Sequence, residues 1–245
     1  MCCFSGPVHV AQTRIFARAL GHGRQALVYA MEFEAAADVA MILPLPTPPG
    51  SAEDDVGFVD LSEYPELFED LQKGFPLPAA VRSFGGPAPQ FLSLLEVKQV
   101  GAFEASFVPS PGDFDRIDPR FQLPPSLVEA FPAYGDYGFA VFQLRGGEGR
   151  EKVHPMAFTF PRRDPDALFF PTVHVHDGVA HPEAHFDHQL YCQWPHALSA
   201  PWWKTGLPAE HHVDVGRALG LVDGGLPVAS MALHGTQPND DTWVR

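Results

Sequence analysis

The sequence predicts a mainly β protein, an antiparallel sandwich or barrel-like fold carrying two or three short helices. The first observation behind this is 26 prolines and 22 glycines among 245 residues. Proline ends helices and is excluded from central strands, so the chain must be cut into many short elements. The second is the period-two alternation of apolar residues in several runs separated by turn residues. The third is that helical spacing is confined to brief stretches. With no internal repeat and no long linker, residues 1–245 read as a single β-rich domain.

The elements follow in order. Residues 13–20 read as a strand in which Ile15 and Ala17 alternate with Arg14 and Arg18. The Gly21-His-Gly23 turn and the run 25–34 complete a hairpin. Residues 39–46 form a third strand that ends in proline. Leu61, Tyr64, Leu67, Phe68 and Leu71 carry helical spacing, with Asp60 or Ser62 as a start and Gly74 as a stop. Residues 76–90, rich in Pro, Gly and Ala, read as a loop, and 92–108 as strand on both sides of Gly101. A turn-rich connection over 109–124 precedes a short helix at 126–131. Strands follow at 138–144, 153–160 and 168–176. Residues 185–194 alternate as a return strand, which a turn at Asp177-Gly178 would pair with 168–176. A loop with Trp202 and Trp203 leads to a helix over 213–222, and 227–234 is the last strand.

Composition limits the function. A hydrophobic content of 45% and a charged content of 19% belong to a globular chain. A formal charge of −14 argues against nucleic acid, whose phosphates need clustered Lys and Arg, and against anionic membrane surfaces. No apolar run reaches the roughly 20 residues of a membrane span, and the start lacks the pattern of a secretory signal. The expectation is a cytoplasmic protein whose three cysteines stay reduced. A small-molecule or peptide substrate remains open, and the oligomeric state is not legible.

Several segments in order resemble a family of bacterial proteins known as a domain of unknown function. The strand Thr13-Arg-Ile-Phe-Ala, the run Ala40-Met-Ile-Leu-Pro-Leu-Pro-Thr-Pro-Pro49, the segment Tyr134-Gly-Asp-Tyr-Gly-Phe-Ala-Val-Phe-Gln-Leu144 and the strand His154-Pro-Met-Ala-Phe-Thr-Phe-Pro161 are similar to that family's motifs. The resemblance spans about residues 2–176 and implies a β-rich core with a cysteine near the mature start. Members are typically secreted, whereas this chain begins without a signal and adds a histidine-dense segment. No chemistry is established for the family, so the resemblance transfers no catalytic residue.

That histidine-dense segment is the main candidate site. Six of the twelve histidines, from His174 to His196, fall in one short stretch that also holds Cys192. His174 and His176 sit two apart on an expected strand and therefore share a face. With one or two of His181, His185 and His188 they make a transition-metal site suited to Zn, Cu or Fe. His185 and His188 fall on opposite faces of a regular strand, so they compete for one role. Asp177 and Asp187 could orient ligating imidazoles. The spacing to Glu183 is too long for a cupin-type carboxylate. The bland reading is a solvated, histidine-bearing hairpin.

The second candidate is the chain start. If Met1 is removed, Cys2 carries both a thiol and a free amine, as in N-terminal-nucleophile amidohydrolases, with its own amine as base. Cys2 and Cys3 could instead supply soft ligands to the histidine site. Aspartates 54–55, 113, 115, 118 and 240–241 read as solvated loop carboxylates. There is no Gly-x-Ser-x-Gly, P-loop or Rossmann pattern. The leading reading is a transition-metal-binding protein, a metalloenzyme if one coordination position stays open. The alternatives are an amidohydrolase using Cys2 and a non-catalytic interaction module.

Overall fold

The structure is a computed structural model that describes residues 2–75, 98–100, 103–122, 125–147, 149 and 151–245. The chain opens with β1 (Cys2–Phe4), β2 (His9–Leu20), β3 (Arg24–Glu34) and β4 (Val39–Leu45). After β5 (Gly57–Asp60) comes helix α1 (Leu67–Lys73). The loop expected at 76–90 and much of the strand expected at 92–108 lie outside the described residues. What is described there is β6 (Lys98–Val100) and β7 (Glu104–Val108). Helix α2 (Pro125–Ala130) leads to β8 (Gly138–Leu144), β9 (Glu151–Val153) and β10 (Met156–Pro161). The last third holds β11 (Leu168–Phe170), β12 (His174–Val175), β13 (Glu183–Gln193), β14 (Trp203–Lys204), β15 (Ala229–Pro238) and β16 (Thr242–Val244).

The strands form two principal sheets, as a mainly β, sandwich-like protein requires. The smaller runs β12-β1-β4-β8-β7 and the larger β14-β15-β13-β2-β3-β10-β5, with β9 beside β3 and β6 beside β9. Strands β11 and β16 make a separate ribbon. Most pairings are antiparallel, but β1 with β12, β2 with β13 and β6 with β9 are parallel.

Three apolar layers hold the sheets. Between them lie Phe4, Ile15, Leu27, Met41, Leu43, Phe142, Phe158 and Leu190. The outer face of the larger sheet packs Phe16, Val28 and Tyr191 under α1 through Leu67, Phe68 and Leu71. The outer face of the smaller sheet packs Cys3, Ile42, Val141, Val173 and Val175 under Phe114, Phe121 and Leu127. Strands such as β4 are thus buried on both faces, which is why residues 39–45 read as a continuous apolar run and not an alternating one.

Three sequence expectations are corrected. The strand expected over 168–176 is broken at Pro171, where proline removes a ladder donor, and its halves β11 and β12 join different sheets. Consequently β13 does not return onto it; β13 pairs with β15 and β2 instead. The helix expected over 213–222 is a series of turns, because Leu219 and Gly220 adopt φ of +50° and +80°. No helix among the described residues is long and apolar enough to cross a membrane.

Candidate functional site

The Asp177-Gly178 turn crosses from one sheet to the other. Gly178 takes φ +78°, and Asp177 Oδ1 accepts from the Val179 N–H at 3.0 Å, so the turn is locally fixed. It delivers β12 to the edge of the smaller sheet and β13 to the middle of the larger one. Alternation then decides which imidazoles meet. On β13 the inward positions are Phe186, His188, Leu190 and Cys192, all buried. Along β12 and its two flanking residues, Val173 and Val175 face the outer layer, leaving His174 and His176 to the inter-sheet side.

Three imidazoles therefore gather at one end of the inter-sheet layer. His174 Nε2 and His188 Nε2 lie 2.9 Å apart, a hydrogen bond linking the two sheets in which one ring donates and the other accepts. The His174 ring stacks on His176 with centroids at 4.8 Å and lies 4.5 Å from His188. Phe186 at 4.7 Å from His174 and Phe4 at 5.6 Å from His176 close the group with apolar rings.

Electrostatics follow from this enclosure. Burial, aided by the neighbouring His176, pushes His174 down to about 3. Burial also pushes His176 down to about 4, and it pushes His188, which is fully buried, well below the ordinary imidazole range. All three rings are neutral near pH 7. His176 Nε2 and His188 Nδ1 are buried without a hydrogen-bond partner.

Asn239 is the residue that sequence reasoning missed. Its Oδ1 accepts from the His174 N–H at 2.7 Å, and its Nδ2 donates to the carbonyls of His174 and His181, each at 2.9 Å. It is 4% exposed and ties the end of β15 to the β12 edge. A Pro-Asn pair at the end of a strand reads as an ordinary turn, and nothing in the sequence marks this one as buried.

The other expected site residues fall elsewhere. His181 is exposed and bonds Asp177 at 2.9 Å, and His185 is exposed on the outward face of β13. Cys2 pairs in backbone register with His174, so the chain start does fold back onto the histidine segment. Cys3 alternates away from it into the outer layer of the smaller sheet. Cys192 lies in the inter-sheet core, where burial pushes its thiol up to about 12 and keeps it protonated. A ring held neutral to about pH 3 is a weak base, so His174 is poorly matched to activating a thiol. The amidohydrolase reading then rests on the amine of Cys2 itself. As the rings stand, no group of three or more His, Cys, Asp or Glu among the described residues is arranged as a metal cage.

No family model matches the chain, and no curated protein is similar to it in sequence. Solved structures are similar in fold. The crystal structure of baculovirus P35 matches with a TM-score of 0.56 at 12% identity, covering 99% of this chain and 98% of that one. A mutated baculovirus P35 after caspase cleavage matches at 0.46 and 13% identity, covering 96% and 97%. P35 in its complex with caspase-8 matches at 0.44 and 13%, covering 95% of each chain. At such identities the first of these likenesses shows a shared fold: this chain has the architecture of baculovirus P35 over essentially its whole length.

Proposed function

We propose that this chain is a non-catalytic binding protein whose partner is a protease of the caspase class. The observation that carries the reading is the likeness to baculovirus P35 over 99% of the chain. P35 occurs in a complex with caspase-8 and in a form cleaved by a caspase. A caspase is an enzyme with a cysteine nucleophile, so the partner is a folded protein and not a metabolite. The net charge of −14 accords with a protein partner better than with nucleic acid. The inner imidazoles, neutral and bonded to one another, suit a role in holding the two sheets together.

The test is direct. Caspase-8 is mixed with increasing amounts of the purified chain while hydrolysis of a small peptide substrate and elution on gel filtration are followed. Hydrolysis that falls in step with added chain, with a shared elution peak, is the expected result. Full hydrolysis and separate peaks across a set of caspases would overturn the reading.

A second reading is favoured by the unpartnered His176 Nε2, whose ring stacks on His174 beside the His174–His188 contact. Under it, His174, His176 and His188 bind Zn, Cu or Fe, for which neutral imidazole is the usual ligand. Two nitrogens around a tetrahedral ion sit roughly 3.3 Å apart, so the 2.9 Å contact between His174 and His188 has only to widen slightly. Metal analysis of the purified chain tests it. Stoichiometric metal that disappears in His176→Ala supports the reading, and metal-free protein after growth in supplemented medium overturns it.

A further inference from the structure

Beside β12, where Val173 faces the outer layer of the smaller sheet, the turn at Pro132–Asp136 and residues 240–243 line an open cavity of about 480 Å³. That volume lies within the range of ligand pockets. Its walls are aromatic: Phe131, Tyr134, Tyr137 and Trp243. The rings form a connected set, with centroids 5.3 Å apart for Phe131 and Tyr134 and 5.4 Å for Tyr134 and Tyr137. Trp243 is braced from behind by Phe169 at 4.8 Å.

Two carboxylates share this lining, Asp240 and Asp241. Asp241 is fixed in the wall, where its Oδ2 accepts from the Tyr134 hydroxyl at 2.6 Å and its Oδ1 from the Val173 N–H at 3.1 Å. Asp240 is exposed at the rim, and its carboxylate has no cationic partner among the described residues. Burial and then Asp241 push the phenols of Tyr134 and Tyr137 upward, with Arg163 opposing the shift at Tyr137.

The chain's own arginines show what these rings accept. The Arg163 guanidinium lies 5.0 Å from the Tyr137 centroid and pairs with Asp136 at 2.9 Å. The Arg245 guanidinium lies 5.6 Å from Trp243 and 3.6 Å from Asp164. Neither arginine lines the cavity. Both repeat one recipe, a guanidinium on an aromatic face beside a carboxylate, and Asp240 at the cavity rim is a carboxylate that has no such cation among the described residues.

We propose that the groove between Tyr134, Tyr137 and Trp243 receives an arginine side chain of a peptide or protein partner. Its guanidinium lies against the rings and its N–H edge donates to Asp240. Arginine is specified over lysine because a planar guanidinium stacks on aromatic faces while presenting a fork of donors to a carboxylate. The net charge of the chain draws such a ligand in. This site does not depend on the protease reading and is tested without a protease.

The capped peptide acetyl-Gly-Arg-Gly-amide is titrated into the purified chain while the indole N–H signals are followed by nuclear magnetic resonance. Trp243→Phe identifies which of the signals belongs to the groove. A saturable shift of that signal is expected, weakened roughly fivefold or more in Asp240→Asn and by added salt. The citrulline peptide, equal in shape but uncharged, is expected to give no saturable shift. Because Asp240 is exposed, Asp240→Asn reports on the site even if Trp243→Phe fails to fold. No shift at all, an equal response to the citrulline or lysine peptide, or undiminished binding in Asp240→Asn would overturn the proposal.

Discussion

The inner and outer imidazoles of residues 174–188 differ in everything except composition. His174, His176 and His188 lie between two sheets, neutral and packed against Phe4 and Phe186. His181 and His185, a few residues away, stand in solvent. The segment separates them because its turn crosses from one sheet to the other, so only inward positions on both strands meet. Leu190, two residues after His188 on the same face, gains about 1.5–3 kcal/mol from burial alone. An imidazole in the same layer must stay uncharged and bonded to be tolerated there. The clustering in sequence is therefore partly incidental, and the grouping in space is set by which sheet each strand joins.

Acid should separate the two groups most strongly. The folded-state values of about 3 for His174 and 4 for His176 lie below the ordinary 6.5, so the unfolded chain takes up protons first as pH falls. The stability these rings contribute is complete above pH 6.5 and is lost as pH drops toward their folded-state values. The slope is at most ~1.4 kcal/mol per pH unit for each ring. Urea midpoints measured with chelator present should fall steadily from pH 6.5 to pH 4. His181→Gln with His185→Gln should keep that slope, and His174→Leu with His176→Leu should flatten it. A flat profile in the parent protein would break the distinction.

His188→Ala comes next, because it opens a cavity in the inter-sheet layer and strands His174 Nε2. Its expected loss is about 2–4 kcal/mol in chemical denaturation. Asn239→Ala removes a brace and not a ring, and three hydrogen bonds to the β12 region go with it. A loss of roughly 2 kcal/mol is expected, with faster amide exchange at His174 as a local signature. The smallest effect belongs to His181→Ala, which breaks only the exposed pair with Asp177 and should stay within ~0.5 kcal/mol. If His181→Ala matched His188→Ala in cost, burial would not be what divides the cluster.

The local elements were largely legible. The hairpin of β2 and β3, the strand β4 and the strand β8 follow from alternation and turn glycines that act over a few residues. The same-face pairing of His174 and His176 was legible too, as was the opposition of His185 to His188. Sheet membership was not, because Pro171 splits what reads as one strand and no local pattern names a partner far along the chain. The helix expected over 213–222 misled for a related reason: its apolar spacing is real, but the left-handed backbone at Leu219 and Gly220 bends those side chains into the layer beneath α1 without a helix. Asn239 could not be singled out, since its importance comes entirely from what the end of β12 leaves unbonded.

The parallel seam between β1 and β12 also sets a timetable for the ribosome. Cys2 finds its register partner at His174, β2 is completed by β13, and β11 waits for β16, whose last residue is Val244. A nascent chain halted before residue 174 would display β1 and β2 with one edge each unfilled, and such edges invite pairing with other chains. Completion of both sheets is thus deferred until β12, β13 and β15 have been made, and folding dominated by distant partners is slow. Shielding of those edges during translation should matter more to the yield of this protein than any single core contact.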